Sequence, residues 1–276
     1  MTIDSSLPDK LRLVLAVERF YAVLIQAAIA RSAPDSEPSL GGQLLYAGLL
    51  DGDGSALLLA ANIAGAASLA ATSDSVARKQ AIRNGAIDFL VTSLDEALRI
   101  LKNEIRKRET VAVCVAAAPE AVERAMRERG VLPDLLRPGT ASTPELAAFL
   151  SQGARRIELP GTERNQTLVA WSVAAAPALW LPKLDAIALD CLRLELGPAA
   201  LAARRWLRLA PRYLGRLAQG ARLLRCNEET AQRFLAQARE SVEGTEIGVP
   251  VEMLLIRQGQ PEQHRISPPR TPQKIL

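Results

Sequence analysis

The residues that could do chemistry begin with the run 51–55, Asp-Gly-Asp-Gly-Ser, which follows an apolar segment and precedes an Ala/Leu-rich one. A glycine turn between a strand and a helix presents backbone N–H groups and the helix dipole to a phosphate, as in dinucleotide sites. The turn keeps two glycines of a G-x-G-x-x-G pattern, with Leu57 in the third place, and no lysine follows in Walker order, which excludes a P-loop. Its two carboxylates would meet a pyrophosphate with like charge. Cofactor binding by Gly52, Gly54 and Ser55 and a tight turn that needs small residues both stay open.

A ribose-binding carboxylate is expected at the end of the second strand of such a unit, about 20 residues after the first glycine. Asp74 lies 22 residues after Gly52. The same residue could instead be the N-cap of the helix that follows. Both roles for Asp74 are carried forward as alternatives.

The chain is poor in the residues of metal sites and catalytic triads. Its single histidine, His264, lies in a stretch rich in Pro, Gln and Arg, and Cys114, Cys191 and Cys226 are far apart. This spacing argues against a disulfide framework and a cysteine-based metal site, and it favours a reducing compartment. One histidine in this stretch nearly excludes a histidine zinc site or a Ser-His-Asp triad in the core. We therefore predict no catalytic residue and no metal site.

The net charge is +4, but seven arginines fall within residues 204–225. Such a cluster could bind an anion or nucleic acid, or it could be a solvated helix face, which we favour. Only Trp206 and Tyr213 lie among these arginines, so base stacking has little support and nucleic acid is not an expected partner. No apolar run reaches the roughly 18–20 residues of a membrane span, and the first residues lack a signal-peptide pattern. We expect a cytoplasmic protein without a membrane partner.

Strands and helices alternate between residues 39 and 153, as hydrophobic runs bounded by turn and capping residues. Gly85 ends one predicted helix, and Ser93-Leu-Asp-Glu96 is a capping box that opens the next. Predicted strands cover 43–50, 67–73, 86–91, 110–116 and 132–136, and predicted helices cover 57–65, 74–84, 94–108, 119–129 and 143–152. This alternation predicts an α/β fold with a doubly wound, mainly parallel, Rossmann-like sheet.

The rest of the chain is less regular. Residues 8–32 predict an N-terminal helix, and the stretch after 154 predicts a smaller, mixed helical C-terminal region. There, 168–181 is expected to be helical, 184–192 either strand or helix, 198–209 and 228–240 helical, and 249–256 a strand. We expect four parts: 1–38 as helix and linker, 39–153 as the Rossmann-like domain, 154–257 packing on it, and 258–276 as a disordered tail.

Between Gly42 and Asp134 the chain resembles the urocanase (urocanate hydratase) family. The segments that carry the resemblance are Leu45-Tyr-Ala-Gly-Leu, Leu59-Ala-Ala-Asn-Ile-Ala-Gly-Ala66, Leu94-Asp-Glu-Ala-Leu98 and Arg129-Gly-Val-Leu-Pro-Asp134. They look like the NAD-binding Rossmann-like domain of that family, in which a tightly held NAD⁺ acts as an electrophile toward the imidazole ring of urocanate before water adds. The chain is about half a urocanase in length.

The resemblance implies that scaffold residues survive while reactive ones are replaced. The family's glycine-rich turn falls on residues 51–55, where half of its glycines remain, and its ribose-binding glutamate falls on Thr72. An asparagine that contacts the cofactor falls near 117 or 118, both alanine. A Gln-Thr-Ser-Ala-His run falls on 139–143, where only Thr140 survives. The active-site cysteine falls on Gln219.

Two functions follow as expectations. The first is a urocanase-like protein without hydratase activity, a pseudoenzyme or a binding and interaction module, with no cofactor. The alternative is an NAD- or nucleotide-binding enzyme of the hydro-lyase type, or a sensor, with a small-molecule ligand at the carboxyl ends of the strands. Gly52, Gly54, Ser55, Asp74 and Thr140 would line that crevice. The resemblance leaves a homodimer open.

Overall fold

A computed structural model describes residues 9–33, 35–139, 143–158, 166–257 and 259–269. The chain divides into two compact units. The first, the Rossmann unit, comprises residues 15–161 and 212–217, and the second comprises 1–14, 162–211 and 218–276.

The Rossmann unit has six parallel strands in the order β3-β4-β2-β1-β5-β6. The helix α1 (Asp9–Ile29) begins in the second unit and precedes this sheet. The elements that follow it are β1 (Leu44–Leu49), α2 (Gly52–Ala64), β2 (Ala67–Ala71), α3 (Ser75–Arg83), β3 (Phe89–Val91), α4 (Leu94–Lys107), β4 (Val111–Val115), α5 (Pro119–Glu128), β5 (Leu135–Leu136), α6 (Pro144–Ser151) and β6 (Arg155–Arg156). Right-handed crossovers place α2 and α3 on one face of the sheet and α4, α5 and α6 on the other. The predicted Rossmann-like α/β fold is confirmed.

Buried apolar strands form the centre of this sheet. Every residue of β2 and β4 is buried, as expected for parallel strands covered by helices on both faces. Val113 and Val115 pack with Leu94 and Leu101 of α4, and Phe149 of α6 closes the same core. This core fixes the carboxyl ends of the strands, where the turns lie.

The second unit contains a four-stranded antiparallel sheet in the order β10-β9-β7-β8. Its elements are β7 (Thr167–Val173), α7 (Pro177–Leu192), α8 (Pro198–Leu214, whose last residues belong to the Rossmann unit), β8 (Ala221–Cys226), α9 (Glu228–Glu243), β9 (Val251–Arg257) and β10 (Gln260–Ile266). Helices α7 and α9 pack against each other and against the sheet. The Trp206 indole of α8 donates to the Leu223 carbonyl of β8 at 2.6 Å, which satisfies a polar group of an edge strand.

Two predictions for this unit are wrong. The apolar pattern of residues 168–181 predicts one helix, but 167–173 form β7 and the helix begins at Pro177. A short, fully buried apolar run has the same hydrophobic pattern in a strand as in a helix, so periodicity could not separate them. The disordered tail is also wrong for 260–266, because these residues form β10 and pair with β9 along its whole length. β10 is a mostly exposed edge strand, which explains its polar composition.

Candidate functional site

The candidate site lies where the strand order of the Rossmann unit reverses. β1 lies between β2 and β5, so the chain leaves β1 in one direction and returns to β5 on the other side. In open α/β sheets, ligands bind in the crevice at the carboxyl ends of two such strands. We call this place the switch crevice, formed here by Arg137 after β5 and by the turn 50–55 after β1, in which residues 52–55 are already the first turn of α2 and not the loop before a helix at 57 that the sequence predicted.

The turn after β1 is closed by one of its own carboxylates. Asp51 has extended backbone angles and is the N-cap of α2, where its Oδ1 accepts the Gly54 N–H at 2.7 Å. The Ser55 N–H donates to the Asp51 carbonyl at 2.9 Å. An N-cap carboxylate supplies the negative charge that a helix N-terminus otherwise offers to a ligand phosphate. The sequence interpretation missed this role, although an aspartate immediately before a helix is a usual capping pattern.

Arg137 binds the same carboxylate from the other side of the switch crevice. Its Nη1 lies 2.9 Å from Asp51 Oδ1, and its Nη2 donates to Asp51 Oδ2 at 3.1 Å. Nη1 also donates to the Leu49 carbonyl at 2.9 Å, and Asp53 Oδ2 lies 3.7 Å from Nη2. The Arg137 side chain is only 11% exposed. The two-pronged contact fits the fork geometry of an arginine–carboxylate pair.

The environment of Asp51 favours its charged form. Burial acts to raise the pKa of Asp51, but the Arg137 hydrogen bond, the Gly54 N–H and the Arg137 charge outweigh it, so the pKa lies below its ordinary value. Asp51 and Arg137 are therefore an ion pair at neutral pH. No local pattern predicts this pair, since 86 residues separate the two positions.

The two glycines of the turn differ in the space around them. A Cβ at Gly54 would lie 2.3 Å from the Leu49 carbonyl oxygen and 3.2 Å from Asp51 Oδ1. A Cβ at Gly52 would have nothing within 4 Å. Gly54 is therefore required by the closed turn itself, whereas Gly52 lies exposed beside it and Ser55 is half-buried.

Asp74, predicted either to bind the ribose or to cap a helix, and Thr72, which replaces the family's ribose-binding glutamate, both form local hydrogen bonds. Asp74 is the N-cap of α3, where its Oδ1 accepts the Val76 N–H at 2.7 Å, so the capping alternative is observed. Thr72 is buried, and its Oγ1 accepts the Asp74 N–H at 3.1 Å. Ribose binding by Asp74 stays a prediction. Thr140 lies outside the described residues.

A buried polar network that the sequence did not predict lies on the α5 and α6 face of the sheet. Glu123 of α5 is buried, and it accepts the Tyr46 hydroxyl at 3.2 Å and the Thr143 hydroxyl at 2.8 Å. Tyr46 lies on β1, and Thr143 caps α6. Burial raises the pKa of Glu123 above its ordinary value, although the two hydroxyls act to lower it. The network ties β1 and α5 to the start of α6.

Those arginines of the 204–225 cluster that lie in the second unit interact largely with other groups of the fold. Arg204 donates to the Leu192 carbonyl at 2.6 Å and to the Glu195 carbonyl at 2.9 Å. Arg222 forms a salt bridge of 3.0 Å with Asp185, and both side chains are largely buried. Arg205, Arg208 and Arg225 also have interaction partners. The binding of an anion or nucleic acid by this cluster stays a prediction.

The residues considered for metal or acid–base chemistry are dispersed. Cys114, Cys191 and Cys226 are free and buried, and burial raises the pKa of the Cys114 thiol to about 11. His264 lies on β10, 3.0 Å from Glu262. Within the described residues no group of three or more His, Cys, Asp or Glu could hold a metal ion. None of the described helices is long and apolar enough to cross a membrane.

A comparison with protein families gives a match over much of the chain. The family model described as the urocanase Rossmann-like domain matches residues 21–165, which is more than half of the chain. The matched region contains the whole parallel sheet and the switch crevice. It does not reach Gln219, the residue that the resemblance aligned with the family's active-site cysteine.

Proposed function

This chain belongs to the urocanase Rossmann-like domain family, and from that membership we propose that it keeps the family scaffold without urocanate hydratase activity. In this proposal it is a pseudoenzyme that serves as a binding or interaction module. Family membership accounts for the Rossmann-like scaffold, and what we propose is that the switch crevice no longer holds the cofactor.

The observation that carries the proposal is the Asp51–Arg137 ion pair. A pyrophosphate at this turn needs free N–H groups and the positive end of the α2 dipole. Here Asp51 accepts the Gly54 N–H and neutralises Arg137, so the turn already holds an anion of its own. A dinucleotide would have to displace the carboxylate and would then lie beside two aspartates.

The residues next to the crevice support the same proposal. Thr72, at the place of the family's ribose-binding glutamate, has a single hydroxyl, and that hydroxyl accepts the Asp74 N–H. Asp74 in turn accepts the Val76 N–H. A carboxylate that chelates two ribose hydroxyls is therefore missing where the family has one, and the nearest carboxylate already caps a helix.

Two measurements on the purified full-length protein test this proposal. We expect no bound NAD⁺ in the absorbance spectrum or in the supernatant of the denatured protein, and no loss of urocanate absorbance on incubation with and without added NAD⁺. Copurified NAD⁺ together with urocanate turnover would refute it. A urocanase with the full glycine-rich turn is the positive control for the assay.

A second candidate function, nucleotide or small-ligand binding, is favoured by the place of Arg137 at the switch point. A ligand phosphate could take over the guanidinium from Asp51, with Gly52 leaving open space beside it. A thermal-shift series with mononucleotides and dinucleotides tests this function, because a ligand at 100 times its Kd stabilises by about 2.7 kcal/mol. A shift that Arg137→Met abolishes would support binding at this site, and the absence of a shift at millimolar nucleotide would count against it.

A further inference from the structure

The outer edge of the Rossmann sheet carries a strand with apolar side chains partly exposed on both faces. β3 is the terminal strand of the sheet, next to β4. Phe89 is 48% exposed and Leu90 is 43% exposed. Successive residues of a strand point to opposite faces, so apolar surface is exposed on both faces of this edge, although Val91 packs against the core beneath α4.

β3 is only three residues long, but it lacks other features that usually protect an edge strand. Residues 86–91, Ala-Ile-Asp-Phe-Leu-Val, contain no lysine and no proline. Their one charged side chain, Asp88, accepts the Ala112 N–H at 2.8 Å, so it is directed toward β4 and away from the open edge. An exposed apolar edge without such protection is a template for pairing with another strand.

The helix that immediately precedes β3 in the chain, α3, adds apolar surface and positive charge. Leu90 pairs with Cys114, on the face of the sheet opposite Val113 and Val115, which is the α3 face. α3 buries only Ala81 of its nine residues and leaves Ile82 exposed. The helix contains three cations and no acidic residue; they are Arg78, Lys79 and Arg83.

We propose that β3 and α3 form a docking edge for an extended acidic segment of a partner protein, in which apolar residues alternate with carboxylates. The segment pairs with β3 through its backbone, which gives affinity, and its carboxylates meet the cations of α3, which gives specificity. A second copy of this chain fits less well. Antiparallel pairing of two β3 strands about a two-fold axis keeps the faces of the sheet, so it brings two basic α3 helices to the same side.

This edge is separate from the switch crevice, so the proposal holds whether or not the crevice binds a nucleotide. β3 lies three strands away from β1 in the sheet order. The docking edge gives the proposed binding module a partner of defined chemistry, an extended acidic segment.

The test uses a fluorescent, end-blocked peptide of eight alternating valine and glutamate residues, titrated with the full-length protein and followed by anisotropy. We expect saturable binding that weakens at least about tenfold for the double variant Lys79→Glu/Arg83→Glu and for the valine–lysine peptide. The same glutamate peptide, N-methylated at every residue, should lose binding because neither of its edges then has an N–H group to donate to β3. Arg124→Glu/Arg127→Glu on α5 makes the same change of charge on the other face and should leave the Kd within about twofold.

Three results would overturn the proposal. They are no binding of the glutamate peptide at millimolar protein, equal binding of the glutamate and lysine peptides, and equal binding of the N-methylated peptide. Sedimentation of the wild type alone provides a further check. A dimer that Leu90→Lys dissociates would assign the edge to a second copy of the chain.

Discussion

Replacing Asp51 by asparagine and by alanine separates its two roles, the cap of α2 and the ion pair with Arg137. Asparagine keeps an oxygen that can accept the Gly54 N–H, so this variant loses mainly the charge. Because the Asp51 side chain is 43% exposed, solvent screens the pair, and we expect Asp51→Asn to cost at most about 1 kcal/mol of unfolding free energy. Asp51→Ala also removes the side-chain cap of α2, so we expect it to lose about 1 kcal/mol more unfolding free energy than Asp51→Asn.

The pH dependence gives an independent check of the ion pair. The folded-state pKa of Asp51 lies below its ordinary value, so the carboxylate contributes stability that is complete above about pH 4 and is lost as the pH falls through the lowered pKa. The wild type should therefore be more stable than Asp51→Asn at pH 7, and this difference should shrink below about pH 4.

Urea unfolding of the full chain at pH 7 and at several lower pH values measures both effects, and hydrogen exchange of the α2 amides reports whether the loss is local. Two results would refute this reasoning. One is equal stability of the asparagine and alanine variants, which would mean that the cap contributes nothing. The other is an Asp51→Asn variant as stable as the wild type at every pH, which would mean that the ion pair contributes nothing to stability.

Three further predictions concern other parts of the fold. Gly54→Ala should destabilise the protein by about 2 kcal/mol or more, while Gly52→Ala should cost less than about 1 kcal/mol, because only the first places a Cβ 2.3 Å from a carbonyl oxygen; urea unfolding measures both. Glu123 has a raised pKa, so its charge opposes folding, and the wild type should lose stability relative to Glu123→Gln as the pH rises above about 4; equal pH profiles would contradict this. Arg222→Met should cost about 3 kcal/mol by leaving Asp185 buried without its cation, and the double variant Asp185→Leu/Arg222→Met should be more stable than the single one in the same assay.

The Rossmann unit could be predicted from the sequence because its signals are local. Buried apolar runs, the capping box at Ser93 and the glycine at 85 each mark a boundary within a few residues of the element concerned. The second unit was harder to predict. Its strand β7 is apolar on both faces and reads as a helix, and β10 is polar because it lies at an edge, so each owes its structure to pairing with β9.

The residues of the candidate site also differ in how far their roles could be predicted from the sequence. The glycine turn and the capping role of Asp74 depend on neighbours within three residues, and both could be seen in the sequence. Arg137 and the Glu123 network depend on contacts between β1 and segments more than 70 residues away. The sequence shows the residues of such pairs but contains no signal of their contact, which only the order of the strands creates.

We infer that the ion pair of Asp51 and Arg137 takes the place of a dinucleotide in the switch crevice. Calorimetric titration of the full-length protein with NAD⁺ tests it most directly, with Arg137→Met titrated in parallel. We expect no heat of binding with either protein at millimolar NAD⁺ and no NAD⁺ carried through purification. Stoichiometric binding of NAD⁺ to the wild type, weakened by the Arg137 substitution, would contradict it.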